Sequence, residues 1–150
     1  MVIMSPDKLN VYLADDDEED RLLFKEAFEV IKIKHRLAFF NTGTALLSKL
    51  KSCTDVPHVI FLDINMPGKS GLQCLREIRG DERYKDTVIA ICSISSLEDT
   101  IEEAFIEGAN IYIRKTNTVE SFMKILTEVV AVSWQYVTDG LNRENFIISY

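Results

Sequence analysis

Five polar residues at the ends of apolar segments could together carry out chemistry. Asp15 and Asp16 follow one apolar segment, Asp63 ends another, and Ser93 and Lys115 stand at the ends of two later ones. If these segments are parallel strands of one α/β sheet, their carboxyl ends meet at a single edge, where such folds bind ligands. The sequence therefore predicts three carboxylates, a hydroxyl and an ammonium in one place.

This set of groups suits phosphoryl transfer. Two crowded carboxylates repel by roughly 4 kcal/mol at about 4 Å for an effective dielectric near 20, so a cation must offset the charge. Mg²⁺ is the natural candidate because it prefers oxygen ligands, and Lys115 supplies a second positive charge. With both present, the carboxylate of Asp63 can attack phosphorus and form an acyl phosphate. Lys115 and the hydroxyl of Ser93 would then stabilise the phosphoryl oxygens.

Alternating strand and helix patterns along the chain would position these residues. Short apolar runs predict strands, and apolar residues at helical spacing predict amphipathic helices. The predicted strands cover 11–14, 36–40, 59–63, 87–92 and 110–115. The first helix is marked by apolar positions over 24–31, and the later helices cover 44–52, 72–79, 97–108 and 118–137. Gly108 is the expected end of the fourth helix. Five strand-then-helix units predict an α/β fold with a parallel sheet and helices on both faces.

Composition indicates one domain and disfavours several partners. The chain has 150 residues, 47% of them hydrophobic, which suffices for one core but not for two. Its net charge of −7 argues against a nucleic-acid surface. There is no run of 18 apolar residues and no signal-peptide pattern, so we expect a cytoplasmic protein that does not enter a membrane. Three cysteines without a CxxC pair predict buried structural thiols.

Several of these motifs resemble one known family. The segments "LADDD", "FLDINMPGKSG" and "YIRK", together with Ser93, resemble the receiver domain of two-component response regulators over roughly residues 9–132. The resemblance implies a flavodoxin-like, doubly wound (βα)5 fold whose five parallel strands have the order 2-1-3-4-5. It also implies that the protein accepts a phosphoryl group from a sensor histidine kinase or a histidine phosphotransfer protein, and catalyses only its own phosphorylation and dephosphorylation.

The resemblance assigns a role to each matched position. It implies that Asp15 and Asp16 bind the metal, that Asp63 is the phospho-acceptor and also a metal ligand, and that Asn65 contributes a backbone carbonyl to Mg²⁺. The catalytic hydroxyl and lysine fall on two further residues. Ser93 lies thirty residues after Asp63, and Lys115 lies twenty-two after Ser93.

The resemblance also implies a two-state switch, and the chain departs from the family at two positions. Tyr112 occupies the place of an aromatic that swings inward when the hydroxyl of Ser93 engages the phosphoryl group, which changes the face built by the fourth helix, fifth strand and fifth helix. Thr116 replaces the usual proline after the lysine, so a cis peptide there would cost about 2.5 to 4 kcal/mol. Ile94 replaces a usually small residue, and we expect it to narrow the path to Asp63.

Plainer interpretations apply to the remaining polar residues. The acids of 17–20 are expected to be solvated and to stabilise the positive end of the first helix. His35 and His58 have no partner at a useful spacing and are expected to be structural or surface residues.

Three other functions are weaker. A haloacid-dehalogenase phosphatase needs a second acid where this chain has Asn65, so it would lack a general acid/base. A flavodoxin-like cofactor carrier needs a hydroxyl-rich or glycine-rich phosphate loop, whereas "DDDEED" repels phosphate. A pseudo-receiver that only binds proteins remains the main alternative, although such a module would be expected to lose Asp63, Lys115 or the acid pair.

The segments before and after the expected domain predict a stand-alone receiver. Residues 1–8 are expected to be a tail, 9–132 the receiver domain, and 133–150 a helix extension and tail too short for an output domain. The last helix is apolar on more than one side, so it needs a second partner surface. Either "NFIISY" folds back over it, or the helix forms a homodimer, which the pattern slightly favours. The sequence implies a downstream protein partner but does not identify it.

Overall fold

A computed structural model of the protein describes residues 8–95, 97–115, 118–139 and 148–149. The strands are β1 (Leu9–Ala14), β2 (His35–Phe40), β3 (Val59–Asp63), β4 (Val88–Ser93), β5 (Ile111–Arg114) and β6 (Ile148–Ser149). The helices are α1 (Glu18–Val30), α2 (Gly43–Ser52), α3 (Gly71–Arg79), α4 (Glu98–Ile106) and α5 (Val119–Asp139), with a short 3-10 helix at Glu82–Tyr84. Each predicted strand and helix is present, with ends shifted by a few residues.

All strands pair in parallel in the order β2-β1-β3-β4-β5-β6. The flavodoxin-like order 2-1-3-4-5 is therefore confirmed, and the structure adds a two-residue sixth strand. Ile148 pairs with Ile111, Ser149 pairs with Tyr112, and the Ile148 amide donates to the Asn110 carbonyl at 2.7 Å. The described end of the tail thus covers part of the edge of β5.

Alternate residues of each central strand point to two different core layers. On β1, Val11 and Leu13 pack with α1 and α5, whereas Tyr12 and Ala14 pack with α2 and α3. The same alternation continues through β3, β4 and β5, which are buried on both faces. Strands covered on both sides are nearly continuous in apolar residues, which explains their simple sequence signature.

Helix ends follow local hydrogen-bonding chemistry. The Asp17 side chain accepts from the Glu19 amide at the start of α1, and Ser70 forms a reciprocal capping box with Gln73 at the start of α3. Gly108 follows α4 with φ of 110°, and its amide donates to the Phe105 carbonyl. Only glycine adopts that backbone conformation without strain, as expected for a residue that ends a helix.

The last helix runs continuously across the predicted domain boundary at 132. Val129, Val130 and Tyr136 are buried in the same core layer, and Ile148 packs against that layer. Part of the apolar surface that suggested a dimer is therefore covered within the chain, while the boundary itself stays a prediction. The predicted N-terminal tail, except its last residue, lies outside the described residues. Among the described helices, none is both long and apolar enough to cross a membrane.

Candidate functional site

Three carboxylates converge at the carboxyl edge of the sheet. Asp15, Asp16 and Asp63 each offer one oxygen, and these oxygens all lie within 4.8 Å of one another. Asp15 and Asp63 are buried, whereas Asp16 is exposed. The acid pair and the predicted acceptor are therefore brought together, with one side open to solvent.

Asp15 is held by the turn between β1 and α1. Its amide donates to the Phe40 carbonyl at 3.0 Å, which continues the β1–β2 pairing by one residue. Its Oδ1 accepts from the Asp17 amide at 2.9 Å, and its carbonyl accepts from the Arg21 guanidinium at 2.7 Å. These bonds fix the carboxylate before any ligand arrives.

Asp63 ends β3 and is followed by a tight loop that returns to α3. The Asn65 amide lies 3.3 Å from its Oδ1, and the Gly71 amide donates to the Ile64 carbonyl at 2.9 Å. A Cβ at Gly71 would overlap the Asp63 carbonyl oxygen and lie 2.9 Å from its carbonyl carbon. Glycine is therefore required here because the first turn of α3 lies against the backbone of the predicted acceptor. Asn65 is exposed beside the acids.

Lys115 supplies the positive charge of the site. Its amide donates to the Ser93 carbonyl at 2.7 Å, which anchors the residue at the end of the sheet. Its ammonium donates to Asp15 at 3.0 Å and to Asp20 at 2.7 Å, and lies 3.4 Å from Asp63. The side chain is 12% exposed. One ammonium thus faces three carboxylates.

Burial and crowding change how readily these groups ionise. Burial raises the pKa of Asp63 to about 7; the Lys115 charge opposes this and the Asp15 charge adds to it. Burial likewise raises the pKa of Asp15, against the hydrogen bond from the Asp17 amide and the charge of Lys115. For Lys115 burial lowers the pKa, but the bond to Asp20 and the charges of Asp15 and Asp63 outweigh it and raise the pKa above its usual value. Burial therefore makes the carboxyls of Asp15 and Asp63 harder to ionise than a free aspartate, while the surrounding acids keep Lys115 protonated.

The predicted switch residues are linked through the loop after β4. Ser93 is buried, and its Oγ accepts from the Ser95 amide at 3.0 Å, which leaves the hydroxyl proton free to donate elsewhere. Tyr112 is fully buried, and its phenol donates to the Ser95 carbonyl at 3.0 Å. Ser95 therefore connects the hydroxyl and the aromatic, a role that the sequence pattern did not indicate.

The structure tests neither of the two departures from the family pattern. Ile94 is 76% exposed at the start of the loop after β4. Its effect on access to Asp63 stays a prediction. The peptide bond between Lys115 and Thr116 lies outside the described residues.

One plainer interpretation needs correction. Asp17, Glu18 and Glu19 are exposed at the start of α1, as expected, but Asp20 turns toward the site and binds the Lys115 ammonium. Asp20 is the third residue of α1 and lies on the side of the helix that faces the site, whereas the preceding residues face solvent. Helical spacing from the core residue Phe24, four positions later, was the available signal.

The histidines and cysteines have structural roles, as expected. His58 accepts from the Asn10 amide through Nδ1 at 2.8 Å, and His35 packs edge-on against Phe28. The three cysteines are free and buried.

Comparison with known sequences identifies the family. The sequence pattern of the "Response regulator receiver domain" family matches residues 11–127. The chain is 24% identical over 133 residues to response regulator Rcp1 of Synechocystis sp., covering 85% of this chain and 90% of Rcp1. It is 30% identical over 117 residues to the chemotaxis protein CheY of Pseudomonas aeruginosa, covering 75% of this chain and 88% of CheY.

Solved structures show the same fold. The phosphorylated cyanobacterial phytochrome response regulator RcpA superposes with a TM-score of 0.78 at 24% identity, over 87% of this chain and 94% of RcpA. The Mn²⁺-bound form of response regulator Rcp1 superposes with a TM-score of 0.79 at 24% identity, over 86% of this chain and 96% of Rcp1. With the family match over 11–127 and the acids, hydroxyl and lysine at one sheet edge, the chain belongs to the response regulator receiver domain family.

Proposed function

We propose that the protein is a single-domain response regulator whose Asp63 accepts a phosphoryl group from a phosphohistidine of a sensor kinase or phosphotransfer protein. One observation carries this proposal: the Asp63 carboxylate lies beside the acid pair Asp15 and Asp16 and 3.4 Å from the ammonium of Lys115. A nucleophilic carboxylate flanked by a metal-binding acid pair and a cation is the arrangement that phosphoryl transfer to a carboxylate requires.

The donor set suits Mg²⁺. Asp15, Asp16 and Asp63 would hold the ion through carboxylate oxygens, and Asn65 would add its backbone carbonyl. All of these ligands are hard oxygens, and the exposed side at Asp16 leaves room for the waters that Mg²⁺ retains. When bound, the ion would offset the carboxylate charge and that of the incoming phosphoryl oxygens. The Mn²⁺-bound form of the similar protein Rcp1 supports a divalent ion here.

The remaining groups act on the phosphoryl group directly. A carboxylate oxygen of Asp63 forms the bond to phosphorus as the bond from phosphorus to the donor histidine nitrogen breaks, and that nitrogen leaves with the electron pair. Lys115 and the hydroxyl of Ser93 donate to phosphoryl oxygens, and the free hydroxyl proton of Ser93 supports this role. Water later hydrolyses the acyl phosphate. The protein thus acts on its own side chain alone.

The output is a change of the surface formed by α4, β5 and α5. The chain Ser93–Ser95–Tyr112 supports this, because it connects the phosphorylated edge to a buried aromatic on β5. Phosphorylation would favour one position of this loop over another. The changed surface would either dock on a downstream protein or accompany onward phosphate relay.

The donor protein would dock where α1 and α5 begin. A groove of about 320 Å³ lies there, with Leu22 54% exposed and Val119 57% exposed between acidic residues. Apolar surface with an acidic rim next to the site fits a helix with basic flanks. We expect Leu22→Asp to slow labelling by a phosphotransfer protein but not by acetyl phosphate. Val30→Asp, at the far end of α1, is the matched control.

The first test is the intact mass after incubation with acetyl phosphate or phosphoramidate, with Mg²⁺ or with EDTA. We expect a Mg²⁺-dependent gain of one phosphoryl group, which Asp63→Asn abolishes. If neither small donors nor a kinase gives an Asp63-dependent gain, the alternative of a non-phosphorylated binding module replaces this proposal.

Two further features of the protein stay proposals. Self-association through the last helix would be detected by light scattering at high micromolar concentration, with and without phosphorylation. A cytoplasmic location is supported by the three free thiols, which a reducing compartment preserves.

A further inference from the structure

We propose that Asp20 is a positioning residue that competes with the phosphoryl group on Asp63 for the ammonium of Lys115. This inference rests on the proposed function. Asp20 would set how strongly the site binds a phosphoryl-like anion, although it is not one of the acid pair, the acceptor, the hydroxyl or the lysine.

The geometry places the ammonium nearer to Asp20 than to Asp63. The distance from Nζ to an oxygen of Asp20 is 2.7 Å, and the distance to Asp63 is 3.4 Å. Lys115 forms hydrogen bonds to Asp15 and Asp20, while its contact with Asp63 is an ion pair only. The ammonium is therefore drawn toward the first turn of α1.

The contact is specific to one acid of the run at the start of α1. Glu19 is exposed, whereas the Asp20 side chain is 28% exposed and in contact with Lys115. A short bond from a mostly buried ammonium is screened less than a surface pair. Asp20 also belongs to a helix on one face of the sheet, and Asp63 ends a central strand, so the two carboxylates attract the ammonium from different elements.

A phosphoryl group on Asp63 would strengthen the attraction of the Lys115 ammonium toward Asp63 relative to Asp20. It brings additional charged oxygens to the Asp63 side, and movement of the Lys115 ammonium toward them lengthens its bond to Asp20. Asp20 therefore weakens the binding of a phosphoryl-like anion. By the reciprocity of linked equilibria, an anion on Asp63 loosens the contact between Asp20 and Lys115.

The test is calorimetric titration with beryllium trifluoride, a tetrahedral mimic of a phosphoryl group, at saturating Mg²⁺. We expect Asp20→Ala to lower Kd by roughly threefold to tenfold, the range for a partly screened charge contact. Glu19→Ala removes the same charge one residue earlier without touching Lys115, and should leave Kd within twofold. Thermal unfolding in Mg²⁺ verifies that each variant is folded.

A double-mutant cycle separates the contact from a general charge effect. In a Lys115→Gln background, Asp20→Ala should no longer tighten binding, because the competition acts through the ammonium. An unchanged or raised Kd for Asp20→Ala, equal tightening by Glu19→Ala, or the same gain in the Lys115→Gln background would overturn the inference while leaving the proposed function intact. Absence of any Asp63-dependent binding in the wild type would overturn both.

Discussion

The phenol of Tyr112 on β5 donates a hydrogen bond of 3.0 Å to the backbone carbonyl of Ser95. The amide of the same residue donates to the Ser93 hydroxyl oxygen at 3.0 Å. Ser95 thus connects the Ser93 hydroxyl, which would contact the phosphoryl group, to the Tyr112 ring, which would respond to it. The Tyr112 ring is fully buried in this position.

Replacing the phenol tests this connection. Tyr112→Phe keeps the fully buried ring but leaves the Ser95 carbonyl without its donor, so we expect a loss of about 1 kcal/mol in the free energy of unfolding. We also expect weaker binding of beryllium trifluoride, because the loop position that presents Ser93 loses support. Urea unfolding and calorimetry measure the two effects.

Tyr84→Phe is the control for that variant. Tyr84 bonds to the Leu50 carbonyl and precedes β4, at the edge of the sheet opposite the site. It should lose stability to a similar extent with no change in anion binding. Equal weakening of anion binding in both variants would show that Tyr112 acts only through general stability.

Access to Asp63 should depend on Ile94. Its side chain is 76% exposed directly after Ser93. We expect Ile94→Ala to raise the rates of labelling by acetyl phosphate and of dephosphorylation by water several-fold, since both reactants are small. Phosphoprotein formation and decay, followed by mass spectrometry, measure these rates. If both rates stay unchanged, Ile94 does not restrict the path.

The close contact at Gly71 should be intolerant of a methyl group. In Gly71→Ala the new Cβ would overlap the Asp63 carbonyl, so the backbone of the acceptor must move, at a cost of about 1–3 kcal/mol in stability. We expect slower phosphoryl labelling as well, because Asp63 shifts relative to Lys115.

Gly80→Ala is the matched control. Its φ is −74°, and a Cβ there would lie 3.4 Å from the nearest atom, an ordinary contact. This variant should unfold at the same or slightly higher urea concentration and be labelled at the wild-type rate. Wild-type labelling of Gly71→Ala would contradict the proposed steric role.

Protonation of His58 should destabilise the fold in mild acid. Burial and the charge of Arg36 lower the pKa of His58 below its usual 6.5, and its Nδ1 accepts from the Asn10 amide. The unfolded chain therefore takes up this proton first as the pH falls. The part of the unfolding free energy that depends on the neutral His58 ring is fully present above about pH 6.5. It is lost as the pH falls from there through the folded-state pKa, by at most about 1.4 kcal/mol per pH unit.

His58→Asn should flatten this dependence. The amide oxygen of asparagine can still accept from the Asn10 amide, but it does not titrate. Urea unfolding at saturating Mg²⁺, from about pH 7.5 to pH 5, should show the stability of the wild type falling relative to the variant. Parallel curves over that range would rule out His58 as the source.

The sequence by itself determined the fold and the composition of the site. The central strands are buried on both faces and so appear as continuous apolar runs, and each run ends directly at a residue with a polar side chain, as at Asp63 and Ser93. Because parallel strands share one carboxyl edge, the positions of Asp15, Asp63 and Lys115 at strand ends were sufficient to predict that these residues lie close together.

Only the tertiary structure decided which acids share the ammonium and how the loop after β4 is held. Asp20 and Glu19 are adjacent acids of one helix turn. Helical spacing from Phe24 indicates that Asp20 faces the sheet, but only the tertiary structure brings the Lys115 ammonium within reach of its carboxylate. Ser95 connects Ser93 to Tyr112 through its backbone amide and carbonyl, a pair that every residue except proline possesses, so its side-chain identity gives no signal of this connection. The pairing of Ile148 with β5 likewise depends on contacts between distant segments, which no local pattern encodes.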